Sequence, residues 1–164
     1  MVSALGPGVT DFAVGETVFG VLDAGQEGTY AEKLAIKAAI VAKKPSWLSH
    51  VNAAAMALTG LTALWVIEDT GQLKPGETIL IQGGAGRVPG VAIQLAHHLG
   101  AHVITTASAA NHDYVRSSGA DQVIDCQKQD FTKLVGPCDM VFARWVAYRP
   151  STSSQAHTLL HSRL

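Results

Sequence analysis

Gly83, Gly84 and Gly86 follow the apolar run Thr78 to Ile81 and precede an apolar stripe at helical spacing. The stripe consists of Val88, Val91, Ala92, Leu95, Ala96 and Leu99. Backbone amides at such a turn, backed by the positive end of a helix dipole, suit an anion. Strand, glycine turn and helix in that order is how a doubly wound α/β domain receives a pyrophosphate. Gly83, Gly84, Ala85, Gly86, Arg87 and Val88 are therefore candidate cofactor-binding residues. The next apolar segment ends in Thr105-Thr106-Ala107-Ser108, with no Asp or Glu to accept ribose hydroxyls. That absence favours NADP(H) over NAD(H). Thr106, Ser108 and Asn111 join the candidates, the last two facing the 2′-phosphate.

Other chemistry finds little support. His157 and His161 have i, i+4 spacing but lack a third ligand, so no metal is expected. His97 and His98 fall in the last turn of a predicted helix, where partial positive charge suits the dipole. There is no nucleophile elbow and no carboxylate pair. Trp47, Trp65 and Trp145 are scattered and form no stacking platform. With a net charge of −1, neither nucleic acid nor an anionic membrane is an expected partner. No apolar run reaches ~18 residues, so no membrane span is expected. The start, MVSALGPGVT, lacks a signal peptide's basic region and apolar core, so the expected location is cytoplasmic. Cys126 and Cys138 are too few for a disulfide framework or a four-cysteine zinc site.

The 164 residues, 48% hydrophobic and 15% charged, describe a globular chain of about one domain. Residues 1–22 read as turns and short strands, and Tyr30 to Val41 as two short strands around Lys37. Pro45 closes this section. Ser49 is a predicted N-cap for a helix over His50 to Leu58, with a second helix from Leu61 to Asp69 ending near Gly71. Lys74-Pro75-Gly76 is a turn into the central strand. Beyond the glycines, strands are expected at His102 to Ala107, Gln122 to Asp125 and Met140 to Val146. Helices are expected at Ala109 to Ser118 and Asp130 to Val135. Short connections imply right-handed crossovers and a parallel sheet in the order 3-2-1-4. From Ala147 the pattern fails.

Several stretches in collinear order resemble a known family: VSALGPGVTDFAVGETVFG, GTYAEKLAIK, AAAMALTGLTALW, ILIQGGAG, VAIQLAHHLGA, HVITTAS and SSGADQVID. From about Val2 to about Phe142 the chain resembles the zinc-independent quinone-oxidoreductase branch of the medium-chain dehydrogenases/reductases. The resemblance implies an α/β partial Rossmann domain of about four strands, preceded by a remnant of a GroES-like β domain. It places the remnant at 1–46, the Rossmann part at 47–146 and a divergent tail at 147–164. It also implies NAD(P)H-dependent reduction of a small quinone or enone, with the site in a cleft between two domains.

Residue by residue, Gly83, Gly86 and Pro89 occupy the family's A/G-x-x-G-x-x-G positions. Pro89 departs from it and removes one amide donor. Arg87 stands where the family usually has glycine; it either pairs with the pyrophosphate or occupies its place. Asn111 stands where many relatives have Lys. Thr59 matches a position lining the nicotinamide side, or is a structural hydroxyl in an apolar helix junction. Tyr30 matches a position near the substrate channel, with a half-buried strand tyrosine as the plainer account. Cys126 replaces a tyrosine near the adenine end and reads as a small buried thiol. Arg116 reads as a solvated helix residue. No catalytic residue is assigned.

The family continues past the fourth Rossmann strand, whereas ARWVAYRPSTSSQAHTLLHSRL does not resemble it. This predicts a reading frame truncated at both ends or frame-shifted. Two functions remain open: an oxidoreductase fragment, or a non-catalytic remnant. A fourth strand without its usual neighbour predicts homo-oligomers formed through that exposed edge.

Overall fold

The computed structural model describes residues 1–23, 25–26 and 28–143, and the backbone of 146–148. The expected His157–His161 pair, Trp145 and most of the divergent tail lie outside the described residues. The chain forms two compact units, Met1–Leu58 and Thr59–Leu164.

In the first unit two short strands, β1 (Val18–Gly20) and β2 (Val41–Lys43), pair antiparallel, with Phe19 opposite Ala42. Lys43 reaches Glu16 at 2.7 Å, and its hydrogen bond holds that carboxyl below the usual range. A single turn of 3-10 helix, Ala38–Ile40, leads into β2. The two strands expected between Tyr30 and Val41 reduce to β2 and that turn. Extended chain needs a ladder partner to become a strand, and residues 29–36 have none. Tyr30 is fully exposed on a bend, not half-buried in a strand.

The two helices expected between His50 and Asp69 are one. Ser49 Oγ accepts the Asn52 N–H at 3.1 Å, capping helix α1 (His50–Leu64) as expected. The helix runs through Gly60 and widens into a π turn over Trp65–Thr70, where Gly71 N–H donates to the Val66 carbonyl five residues back. A lone glycine costs a helix about 1 kcal/mol against alanine, too little to break it here. Over His50–Thr70 the fused helix has 21 residues, and by length and composition alone it could cross a membrane.

The second unit is built on one sheet in the order β5-β4-β3-β6-β7. The strands β3 (Thr78–Ile81), β4 (His102–Ala107), β5 (Gln122–Asp125) and β6 (Met140–Ala143) are parallel and keep the expected 3-2-1-4 arrangement. This is the α/β, partial Rossmann architecture anticipated, and the small antiparallel sheet fits a GroES-like remnant. Helix α2 (Arg87–His98) covers one face, burying Val88, Ala92, Ile93 and Ala96 with Ile79, Ile81 and Val103. Leu80, Ile104, Ile124 and Val141 form the other face with Val135 and Cys138. Burial on both faces is why these strands read as continuous apolar runs.

Three expectations change here. The helix over Ala109 to Ser118 is a 3-10 turn (Ala109–Asn111) followed by α3 (His112–Ser117). Asp130 to Val135 shrinks to one 3-10 turn, Phe131–Lys133, whose start Asp130 caps by accepting the Thr132 N–H at 3.2 Å, with the Thr132 hydroxyl donating to the same oxygen at 2.6 Å. The fourth strand stops at Ala143, and Val146–Tyr148 returns as β7, antiparallel to β6 with Val141 opposite Tyr148. The edge expected to stand open is thus paired within the chain. Two antiparallel strands joined closely satisfy an edge that otherwise needs a long crossover.

Candidate functional site

The glycine turn leaves the C-terminal end of β3, the strand whose two neighbours, β4 and β6, continue the sheet in opposite directions. Such a reversal opens the crevice in which open α/β sheets take ligands. The turn is tied to the end of β4. Gly83 N–H donates to Thr106 Oγ1 at 2.9 Å, and Gly84 N–H donates to the Thr106 carbonyl at 2.9 Å. Gly86 N–H closes the loop onto the Gly83 carbonyl at 2.8 Å. Gly83 has φ +67°, a left-handed conformation that a side chain would strain.

Gly84 is required for another reason. A Cβ there would lie 2.2 Å from Thr105 Oγ1 and 2.8 Å from Ile93 Cδ1. Thr105 is fully buried, and its hydroxyl donates to the Ile81 carbonyl at 2.6 Å. The turn therefore presses against β4 along both Thr105 and Thr106, a support that sequence reasoning assigned to neither residue. The threonine pair at the C-terminal end of the second strand was the available signal.

Gly83 and Gly84 amides are consumed within the protein. Among the described residues, the amides of Ala85, Arg87 and Val88 have no protein acceptor. Gly86 is the extended residue before α2, and Gly90 N–H makes the first helical bond, back to the Gly86 carbonyl at 2.9 Å. Pro89 has no amide to offer. Ala85 and Arg87 are exposed and Val88 is buried. Three amides without a protein acceptor at a helix N-terminus fit a pyrophosphate.

At the end of β4, Asn111 Nδ2 donates to Ser108 Oγ at 3.0 Å, leaving the serine hydroxyl proton to donate outward. His112, not singled out from the sequence, places Nε2 3.3 Å from the Ala107 carbonyl beside this pair. Thr106 is buried behind the turn, and Thr59 is half-buried on α1. Arg116 is exposed and pairs loosely with Asp113 at 3.8 Å, as a solvated helix residue would. Cys126, expected to be buried, is exposed: β5 ends at Asp125, and the chain turns out to solvent after it. Among the described residues no three His, Cys, Asp or Glu side chains cluster.

A glycine turn at the reversal point of a parallel sheet defines a dinucleotide-binding type of fold, and comparison with known proteins narrows it. No family model matches the chain. The chain is 38% identical over 141 residues to the 2-haloacrylate reductase of a Burkholderia species, covering 82% of this chain and 41% of the relative. A solved quinone oxidoreductase from Coxiella burnetii superposes with a TM-score of 0.78 at 36% identity, covering 84% of this chain and 44% of that one. The quinone oxidoreductase of Escherichia coli, solved with NADPH, gives a TM-score of 0.72 at 33% identity, covering 80% and 40%. These neighbours are quinone oxidoreductases and related enzymes of the medium-chain dehydrogenases/reductases, and over the matched stretch the chain is similar to them. It spans about two-fifths of these relatives, and 2% and 3% of two polyketide synthases that it also matches.

Proposed function

We propose that this chain holds the pyrophosphate of a nicotinamide dinucleotide on the amides of Ala85, Arg87 and Val88, as the nucleotide-binding part of a quinone or enone reductase. The observation that carries this is the set of three amides at the strand-order reversal that, among the described residues, have no protein acceptor. Arg87, exposed at the first helical position, adds a cation beside the phosphates. Ser108 and Asn111 donate towards a 2′-phosphate, and β4 itself ends in Thr105-Thr106-Ala107-Ser108 without a carboxylate, so NADP(H) is favoured over NAD(H). Val88 and Gly86 set the approach to the helix, and Thr59 lines the nicotinamide side. A bound nicotinamide would supply the hydride. This chain's residues anchor and orient the dinucleotide.

Hydride transfer needs donor and acceptor held about 3–3.5 Å apart in one cleft. The chain matches about two-fifths of the reductases it resembles, so turnover is assigned to an assembly that includes the remaining elements. A second reading has its own support. Thr106 satisfies both Gly83 and Gly84, so the turn is stable without any ligand and suits a structural remnant equally well.

Calorimetric titration of the chain with NADPH and NADH separates the two. Saturable binding, tighter for NADPH and lost in Arg87→Glu, supports the first reading. Absence of binding to a folded chain leaves the second.

A further inference from the structure

The half-buried ring of His112 sits over the C-terminal end of β4, where the ribose of a dinucleotide would fall. β4 ends at Ala107, Ser108 follows in extended conformation, and a single 3-10 turn leads to His112 at the start of α3. That short path brings the imidazole back to the strand, with Nε2 3.3 Å from the Ala107 carbonyl. A carbonyl only accepts, so Nε2 carries the hydrogen in this contact. Nδ1 is the nitrogen left over, and among the described residues it has no hydrogen-bond partner. Ser108 and Asn111, both half-buried and both neutral, bond to each other beside it at 3.0 Å.

We infer that His112 selects between NADPH and NADH by its own charge, an inference that rests on the dinucleotide site proposed above. A neutral imidazole offers a lone pair at Nδ1, which accepts the 2′-hydroxyl proton of NADH. A protonated imidazole offers an N–H and a positive charge there, which suits the 2′-phosphate of NADPH. Protonation leaves the Nε2 bond to Ala107 intact, so the ring keeps its place while its preference inverts. Imidazole is the side chain whose charge ordinarily changes between about pH 5 and 8. Preference for NADPH therefore rises as the pH falls, with a proton taken from solvent onto Nδ1.

Other charged and titratable groups surround α3. Asp125 closes β5 opposite Ala107, and Cys126 and Lys128 follow it. Asp125 is buried, and its Oδ1 accepts the Gln127 N–H at 3.0 Å. His102 and Asp121 pair at 3.4 Å at the opposite end of the strands. On α3 itself stand Asp113, Tyr114 and Arg116. Arg116 stays charged throughout and cannot produce a pH trend.

Calorimetric titration of the 164-residue Cys126→Ser chain with NADPH and with NADH, from pH ~8 to ~6.5, keeps the 2′-phosphate largely dianionic. The ratio of the two affinities should rise in favour of NADPH by at least about fivefold across that range. At pH ~7.5, buffers of different ionisation enthalpy should show proton uptake with NADPH and none with NADH. His112→Gln keeps a donor for the Ala107 carbonyl but cannot charge; its ratio should be lower and flat, without proton uptake. His112→Lys should favour NADPH at every pH in the range. Asp125→Asn should keep the trend.

A flat ratio in the unaltered ring, or a slope that survives His112→Gln, overturns the inference while leaving the pyrophosphate site standing. Loss of the trend in Asp125→Asn overturns it too, by moving the switch to the carboxylate. Binding of neither dinucleotide brings down both the site and the inference.

Discussion

Gly84→Ala tests whether the glycine turn is shaped by its contact with β4 rather than by its own backbone preference. A Cβ at 84 would sit 2.2 Å from Thr105 Oγ1 and 2.8 Å from Ile93 Cδ1, both far inside contact distance. Ile93 is fully buried and β-branched with little room to rotate, and so is Thr105, whose hydroxyl donates to the Ile81 carbonyl. Rotating it breaks that bond, which costs about 1–3 kcal/mol when a buried group is left unpaired. Pushing α2 outward instead costs about 1–3 kcal/mol of overpacking strain. Gly84→Ala should therefore destabilise by roughly 1–3 kcal/mol by either route, a fall in Tm of about 4–12 °C at ~4 °C per kcal/mol. Urea denaturation of Gly84→Ala, Thr105→Ala and the double variant completes the cycle. Removing Oγ1 makes room for the new methyl, so the double variant should be more stable than the sum of the single effects by at least about 1 kcal/mol. Additive effects, or a Gly84→Ala cost under about 1 kcal/mol, would refute the reasoning.

Gly90→Ala should behave oppositely, because the new Cβ meets the far end of the exposed Tyr114 at 2.8 Å, and that ring can swing away. Thermal denaturation should show a gain of about 0.5–1 kcal/mol from helix propensity. Arg87→Ala should weaken NADPH binding about fivefold and flatten its salt dependence, as for an exposed ion pair; unchanged or tighter binding in the titration would mean that the side chain occupies the phosphate's place. Cys126 should react with a disulfide reagent in the folded chain, whereas Cys138, buried, should react only on unfolding. Burial raises the Cys138 thiol above its ordinary value, so the folded state resists its ionisation. The stability this contributes is intact below the unfolded thiol's pKa and is lost as pH rises through the raised one. Chemical denaturation at increasingly alkaline pH should show that decline, reduced in Cys138→Ala.

Much of the second unit was legible in the sequence because its strands are buried on both faces. Thr78–Ile81, His102–Ala107 and Gln122–Asp125 are bounded by turns and contain unbroken apolar runs. Where local signals conflicted with tertiary packing, the reading failed. A gap was expected between helices ending at Leu58 and starting at Leu61, yet flanking Ala57 and Ala63 are buried and the helix runs through. Residues 29–36 have a strand-like composition but no ladder to join. β7 was invisible because its pairing depends on the exposed edge of β6, not on any pattern within Val146–Tyr148. Around the candidate site, composition could suggest which residues meet the ligand. It could not show that Thr106 holds the turn, since hydrogen bonds across strands leave no local signature.

β7 imposes an exclusion on the sheet. It uses the outer hydrogen-bonding side of β6, from Val141 to Ala143, which is the side a further parallel strand would have to occupy. The two additions compete for the same row of amides and carbonyls, so a strand that pairs directly with β6 on that side must first peel Val146–Tyr148 away. Growth remains open on the far side of β5, at the opposite margin.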